Sequence, residues 1–313
     1  MTGCKFRLPP VTRRAWALSS AVTSTAFGPR VCLTSPRCLT RCEWGERGLL
    51  RLINLCGPGI LLREFFYNGS MTVLNVLATS HGTDSAAGRE AIALIREQVR
   101  SLLDQRTDGV EYRVHEAYVD VESPSVDDAA AALPKDEPCV IVPILLSTGF
   151  HTQVDLRRAA RASGIERIVI AEPLGPDSRL ARRARTRLEE AGWTPENGSV
   201  VVQGAAGSSR ADGRADMERA AELLSEALGT QVQHGFIASI DPKFHEVVAE
   251  YKPEFAATYL LAEGFFAGKM RRDAEATGLP VKVAAPLVNA QDPASARVVA
   301  ECFVNRMDEA LAA

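Results

Sequence analysis

The sequence predicts an α/β protein whose main body is two similar domains, each a parallel sheet flanked by helices, with a cleft between them. Three observations carry this expectation. From residue 71 onward, short β-branched runs alternate with longer Ala/Arg/Glu-rich stretches, the pattern of βαβ units. The same order of elements begins again after residue 195. Short turn motifs recur at matching places in the two halves, the mark of an internal repeat.

In the first half, 71–195, strands are expected at 73–79, 112–119, 138–145 and 167–171, and helices at 86–103, 125–133, 153–162 and 177–191. The first helix places Ile92, Ile95, Val99 and Leu102 on one apolar face. In the second half, 196–313, strands are expected at 199–204, 232–238, 256–262 and 281–285, with helices at 214–228, 242–250, 265–277 and 293–311. Three turns match across the halves: Ser80-His81-Gly82-Thr83 with Ala205-Ala206-Gly207-Ser208, Thr148-Gly149-Phe150-His151 with Glu263-Gly264-Phe265-Phe266, and Glu172-Pro173-Leu174 with Ala285-Pro286-Leu287. Two such domains face one another across the carboxyl ends of their strands, where open α/β sheets bind ligands.

Residues 1–70 differ in composition. They hold ten basic residues against three acids, Glu43, Glu46 and Glu64, whereas the remainder holds 26 basic and 36 acidic residues. Five of the seven cysteines (Cys4, Cys32, Cys38, Cys42 and Cys56) also lie there. This Arg-rich, acid-poor segment reads as an unstructured or non-native N-terminal extension, with a targeting peptide as the alternative. The Cys32, Cys38, Cys42 spacing lacks the paired short spacing of a zinc site. Cys139 and Cys302 read as buried core thiols of a reducing compartment. The net charge of −3 suggests neither nucleic acid nor a membrane surface as partner, and no apolar run reaches the ~18 residues of a membrane span.

The repeat is chemically lopsided. His81 follows an apolar strand and precedes Gly82, so it belongs to a turn at a strand's carboxyl end, where a packed core histidine is less expected. His151 repeats that placement after Val140 to Leu146 and the Gly149 turn. Two imidazoles at equivalent ends of strands in one sheet can converge on one ion. Their counterparts in the second half are Ala206 and Phe266. Asp120 ends a third strand before the Ser123-Pro124 turn, and by itself reads first as a solvated turn carboxylate. His115, inside that strand, reads as a packed, hydrogen-bonded residue, and His234 and His245 as packing or surface residues. Arg157 and Arg158, near the His151 turn, are ordinary surface charges unless a carboxylate-rich ligand recruits them.

Three segments, Val76-Leu77-Ala78-Thr79-Ser80-His81-Gly82-Thr83, Tyr118-Val119-Asp120-Val121-Glu122-Ser123-Pro124, and Pro143-Ile144-Leu145-Leu146-Ser147-Thr148-Gly149-Phe150-His151 with Asp155, resemble the signature blocks of the sirohydrochlorin chelatase family of the CbiX type. The resemblance covers residues 71–313 and extends to the duplicated layout of the long form. It implies two chelatase-like domains: a catalytic half, 71–195, and a degenerate half, 196–313. It also implies a metal site of His81, His151 and an acid at position 120, where the family commonly has glutamate, so that Asp120 is a shorter substitute. The counterpart of Asp120 in the second half is Ala238.

The implied activity is that of a lyase-type chelatase. It inserts Fe²⁺ or Co²⁺ into sirohydrochlorin without ATP, for sirohaem or cobalamin biosynthesis, the metal being a substrate and no cofactor being held permanently. The expected partners are sirohydrochlorin and the divalent ion, with no nucleic acid and no membrane; the expected state is a cytoplasmic monomer, because one duplicated chain completes the cleft. The alternative is a non-catalytic metal carrier or tetrapyrrole-binding protein. A histidine phosphatase shares the histidine-glycine turn but needs an arginine beside the histidine, where Ser80 stands.

Overall fold

The chain divides into two compact units, Met1–Ser70 and Met71–Ala313. The computed structural model describes residues 72–149, 154–197, 200–238 and 240–313, together with strands β1 (Arg30–Ser35), β2 (Cys38–Trp44), β3 (Leu50–Asn54) and β4 (Arg63–Phe65) of the first unit. Those four strands pair antiparallel in chain order, where the sequence reading expects an unstructured or non-native extension. The rest of that segment lies outside the described residues.

The second unit is an α/β body with two four-stranded parallel sheets. The first sheet is built from β5 (Thr72–Ser80), β6 (Val110–Tyr118), β7 (Cys139–Pro143) and β8 (Ile168–Ile170) in the order β6-β5-β7-β8. The second comprises β9 (Val201–Ala205), β10 (Val232–Phe236), β11 (Phe255–Tyr259) and β12 (Lys282–Val283) in the equivalent order β10-β9-β11-β12. The central strands β7, β9 and β11 are buried along their whole length, as a parallel sheet covered on both faces requires.

Between the strands run α1 (Ala86–Asp104), α2 (Val126–Ala132), α3 (Leu156–Ala162) and α4 (Ser178–Glu190), then α5 (Ala211–Leu228), α6 (Phe244–Tyr251), α7 (Phe265–Glu275) and α8 (Pro293–Ala312). Local chemistry sets their starts. The Ser85 hydroxyl accepts from the Gly88 N–H, Ser125 accepts from the Asp128 N–H, and Asp292 accepts from the Ala294 N–H behind Pro293. All sixteen expected elements of residues 71–313 are present, shifted by at most a few residues at their ends.

Side chains alternate across the first sheet. Leu77 and Ile141 face α2 and α3 through Val126, Leu156 and Ala159, whereas Val76, Ala78, Val140 and Val142 face the larger core. That larger core joins both halves, because the last helix of each half crosses to the other. Helix α4 packs on α5 and β11, and α8 packs on α1 and β7. The sequence repeat thus breaks near residue 195, while the packing exchanges one helix each way across that break.

The backbone confirms the register of the repeat bond by bond. Val119 N–H donates to the Ser80 carbonyl at 3.0 Å as Ile237 does to Ala205 at 2.9 Å, and Tyr118 donates to Pro124 at 3.0 Å as Phe236 does to Pro242 at 2.8 Å. Ala171 donates to Ile141 and Ala284 to Ala256, both at 2.8 Å; Leu174 donates to Leu145 at 2.8 Å and Leu287 to Leu260 at 2.9 Å.

Candidate active site

His81 lies on the turn that leaves β5 and Asp120 on the turn that leaves β6, both exposed. These strands are neighbours in register, Ser80 opposite Tyr118, so the two turns emerge side by side. The pairing continues past the strands: the Asp120 N–H donates to the His81 carbonyl at 2.9 Å. A side-chain carbon on Gly82, whose φ is +94°, would stand 2.1 Å from the Asp120 carbonyl oxygen, so only glycine allows this approach. Asp120 also closes its own turn, one carboxylate oxygen accepting the Val121 N–H at 2.8 Å. Val121 sits at φ +64° and is half-exposed, an uncommon conformation for a β-branched residue of the kind that clusters at functional sites.

Glu122 adds a tie that the sequence reading missed. Its carboxylate accepts the Thr83 N–H at 2.9 Å, binding the far side of the His81 turn to the Asp120 turn. In the second half, the Ala238 N–H donates to the Ala206 carbonyl at 3.0 Å, but Ile240 stands where Glu122 does and packs against Gly207. One backbone frame therefore serves both halves, and only the first carries His81, Asp120 and Glu122.

His151, the second expected imidazole, lies outside the described residues. Among the described residues, no three His, Cys, Asp or Glu side chains are grouped to hold a metal ion. The turn before His151 is described as far as Gly149, and the second half reaches it: the Asp216 carboxylate on α5 accepts the Thr148 N–H at 2.7 Å, and the Tyr259 hydroxyl donates to the Leu146 carbonyl at 3.2 Å. Reciprocally, the Glu263 turn of the second half meets the start of α1, its carbonyl 2.8 Å from where a Gly88 side-chain carbon would stand. The strand-end turns of both halves are thus neighbours, as a shared cleft requires.

The model of the CbiX family matches residues 75–191. A sirohydrochlorin cobaltochelatase of Sulfurisphaera tokodaii is 32% identical over 95 residues, spanning 30% of this chain and 76% of that protein. This chain belongs to the CbiX family. A sirohydrochlorin ferrochelatase of Priestia megaterium is 24% identical over 213 residues, 64% of this chain and 77% of that one. Two solved structures share the fold: SirB from Bacillus subtilis with Fe³⁺ (TM-score 0.61, 23% identity, covering 76% of this chain and 95% of that one) and CbiX, the terminal enzyme for biosynthesis of siroheme in denitrifying bacteria (TM-score 0.55, 22% identity, covering 74% and 98%).

The remaining candidates in this CbiX-family chain behave structurally. His115 is half-buried on β6, and its Nε2 meets the Asn75 side-chain oxygen at 2.9 Å. Burial, with Arg113 and Arg100 nearby, lowers its pKa. His234 lies 3.8 Å from Glu218 and against Phe236, and His245 is exposed on α6. Arg158 is engaged by Asp127 and Asp155, each at 2.8 Å. Arg157 is exposed and borders an open recess beside α3. Cys139 and Cys302 are buried, and burial pushes both thiols up to about 12.

Proposed function

We propose that this protein is a sirohydrochlorin chelatase, inserting Fe²⁺ or Co²⁺ into sirohydrochlorin. The observation that carries this reading is the backbone-paired His81 and Asp120 turns, present in the half that matches the CbiX family model and replaced by Ala206 and Ala238 in the other. His81 and His151 are the metal ligands and the acceptors of the two pyrrole protons; Asp120 offsets the ionic charge and relays protons. The reaction exchanges the water around M²⁺ for four pyrrole nitrogens and releases two protons. A neutral imidazole suits both tasks, since it binds borderline divalent ions and accepts a proton.

The second half is the opposite wall. Phe265, 72% exposed, and Phe266, 38% exposed, meet edge to face at the start of α7 with ring centroids 5.5 Å apart. Gly264, just before them, stands beside the Thr83 hydroxyl that follows His81. Exposed aromatic rings next to the metal-site turn offer a face for a planar macrocycle, and Arg157 a cation for its carboxylates.

The same reading places residues 71–195 as the catalytic half and 196–313 as the degenerate half of one cytoplasmic monomer, holding its metal only as substrate. It serves sirohaem or cobalamin biosynthesis. Among the described residues no helix is long and apolar enough to cross a membrane. Following the visible spectrum of sirohydrochlorin with each ion, with and without protein, tests the assignment. Accelerated metallation supports it; tight binding of ion and macrocycle without acceleration replaces it with a carrier.

A further inference from the structure

We propose that Arg96 is a positioning residue, which with Ser80 and Tyr118 holds the strand ends that present His81 and Asp120. This rests on the chelatase reading. Arg96 is on α1 and only 3% exposed. Its guanidinium donates to the Ser80 hydroxyl at 3.0 Å, to the Tyr118 hydroxyl at 3.0 Å, and to the Ala78 carbonyl at 3.2 Å, and stacks over the Tyr118 ring at 4.7 Å. Ser80 precedes His81 by one residue and Tyr118 precedes Asp120 by two. One planar fork therefore spans the ends of β5 and β6, directly behind the two turns.

Burying a guanidinium is costly unless it is well paired, and the carboxylate Arg96 meets, Glu116 at 3.5 Å, is itself more than half exposed. The second half shows that the fold does not need it. At the positions in register with Arg96, Ser80 and Tyr118 stand Ala221, Ala205 and Phe236, all buried, around the same strand pairing and the same turn hydrogen bonds. The polar cluster is absent in the half that lacks His81 and Asp120. Groups that orient metal-binding side chains without touching the ion have this signature: their removal spares the fold and costs ~10- to 100-fold in affinity or activity.

The test gives the first half the side chains of the second. The full-length Arg96→Ala, Ser80→Ala, Tyr118→Phe variant is compared with the parent by circular dichroism, by titration with cobalt chloride followed in the visible spectrum, and by metallation kinetics. We expect a folded protein with a melting temperature near the parent's, Co²⁺ affinity or kcat reduced at least ~10-fold, and an unchanged KM for sirohydrochlorin. A folded variant with parental Co²⁺ binding and kcat overturns the inference.

Should the triple variant fail to fold, the Ser80→Ala, Tyr118→Phe variant decides, because it keeps the guanidinium in place. Weakened Co²⁺ binding at a parental melting temperature upholds the inference, and parental Co²⁺ binding overturns it. A parent that neither binds Co²⁺ nor metallates sirohydrochlorin overturns the chelatase reading and this inference with it; an active parent matched by its variants overturns this inference alone.

Discussion

Asp216 and Thr148 join the two halves: a carboxylate on α5 accepts, at 2.7 Å, the backbone N–H of a turn residue three positions before His151. One helical turn earlier on α5, Gly213 lies so close that a side-chain carbon there would stand 2.0 Å from the Thr148 carbonyl oxygen. The second half therefore sets the backbone that leads toward His151, one of the proposed metal ligands. Asp216→Ala should slow metallation by roughly 10-fold, the scale for losing a supporting contact of a ligand, with little change in melting temperature. Gly213→Ala must displace backbone and should cost about 1–3 kcal/mol of stability as well as activity. Parental rates in both would show that Thr148 needs no anchoring.

His81→Ala and His151→Ala should each lower the metallation rate by at least ~10²-fold, the scale for losing a positioned proton acceptor. His81 is exposed, so its loss should barely move the melting temperature. Asp120→Ala should cost less than either histidine, because charge balance and relay are its share. Initial rates with folding checked by circular dichroism decide, and a folded double-histidine variant that still metallates sirohydrochlorin at the parental rate would sink the mechanism.

Restoring a histidine at Ala206 should not raise turnover. The backbone there already matches the His81 turn, as the Ala238 to Ala206 hydrogen bond shows, but Ile240 replaces Glu122 and Phe266 replaces His151. A single imidazole on that wall has neither acid nor second imidazole to complete a site. A strong gain of activity from Ala206→His would contradict the division of labour between the halves.

Removing residues 1–70 should leave the melting transition and the metallation rate essentially unchanged. Among the described residues the apolar clusters of the body begin at Leu74, and the family match begins at residue 75. A truncated chain that fails to fold would show that the body depends on the first unit.

His115 makes stability depend on pH. Its folded pKa is lowered by burial first and by Arg113 and Arg100 next, so the unfolded chain binds its proton earlier. Stability is unaffected by this group above the unfolded value near ~6.5, declines as pH falls below it, and stops declining once the folded ring has titrated. A His115→Gln variant should therefore lose less melting temperature than the parent between about pH 7 and pH 5. Identical pH slopes would show that His115 carries no such penalty.

The placement of His81 and Asp120 on strand-end turns was legible in the sequence, while His151 lies outside the described residues. The apolar run ending at Ser80-His81-Gly82 announces a strand and its turn, and matching it to Ala205-Ala206-Gly207 exposes the loss of the imidazole. Glu122 and Arg96 escaped because their types point elsewhere: a glutamate on a turn and an arginine on a helix read as solvated charges. A signal existed for Arg96, which falls on the apolar face of α1 between Ile92, Ile95 and Val99, and whose counterpart is Ala221.

By itself the sequence determined the elements, their order and the repeat, because periodicity, capping residues and turn glycines act between neighbours along the chain. Only the tertiary structure decided that α4 and α8 trade places between the halves, that Asp216 anchors Thr148 across them, and that Arg96 lies beneath the His81 and Asp120 turns. An apolar stripe states that a helix face must be buried but not against which partner. That choice belongs to packing between segments far apart in the chain, which no local pattern encodes.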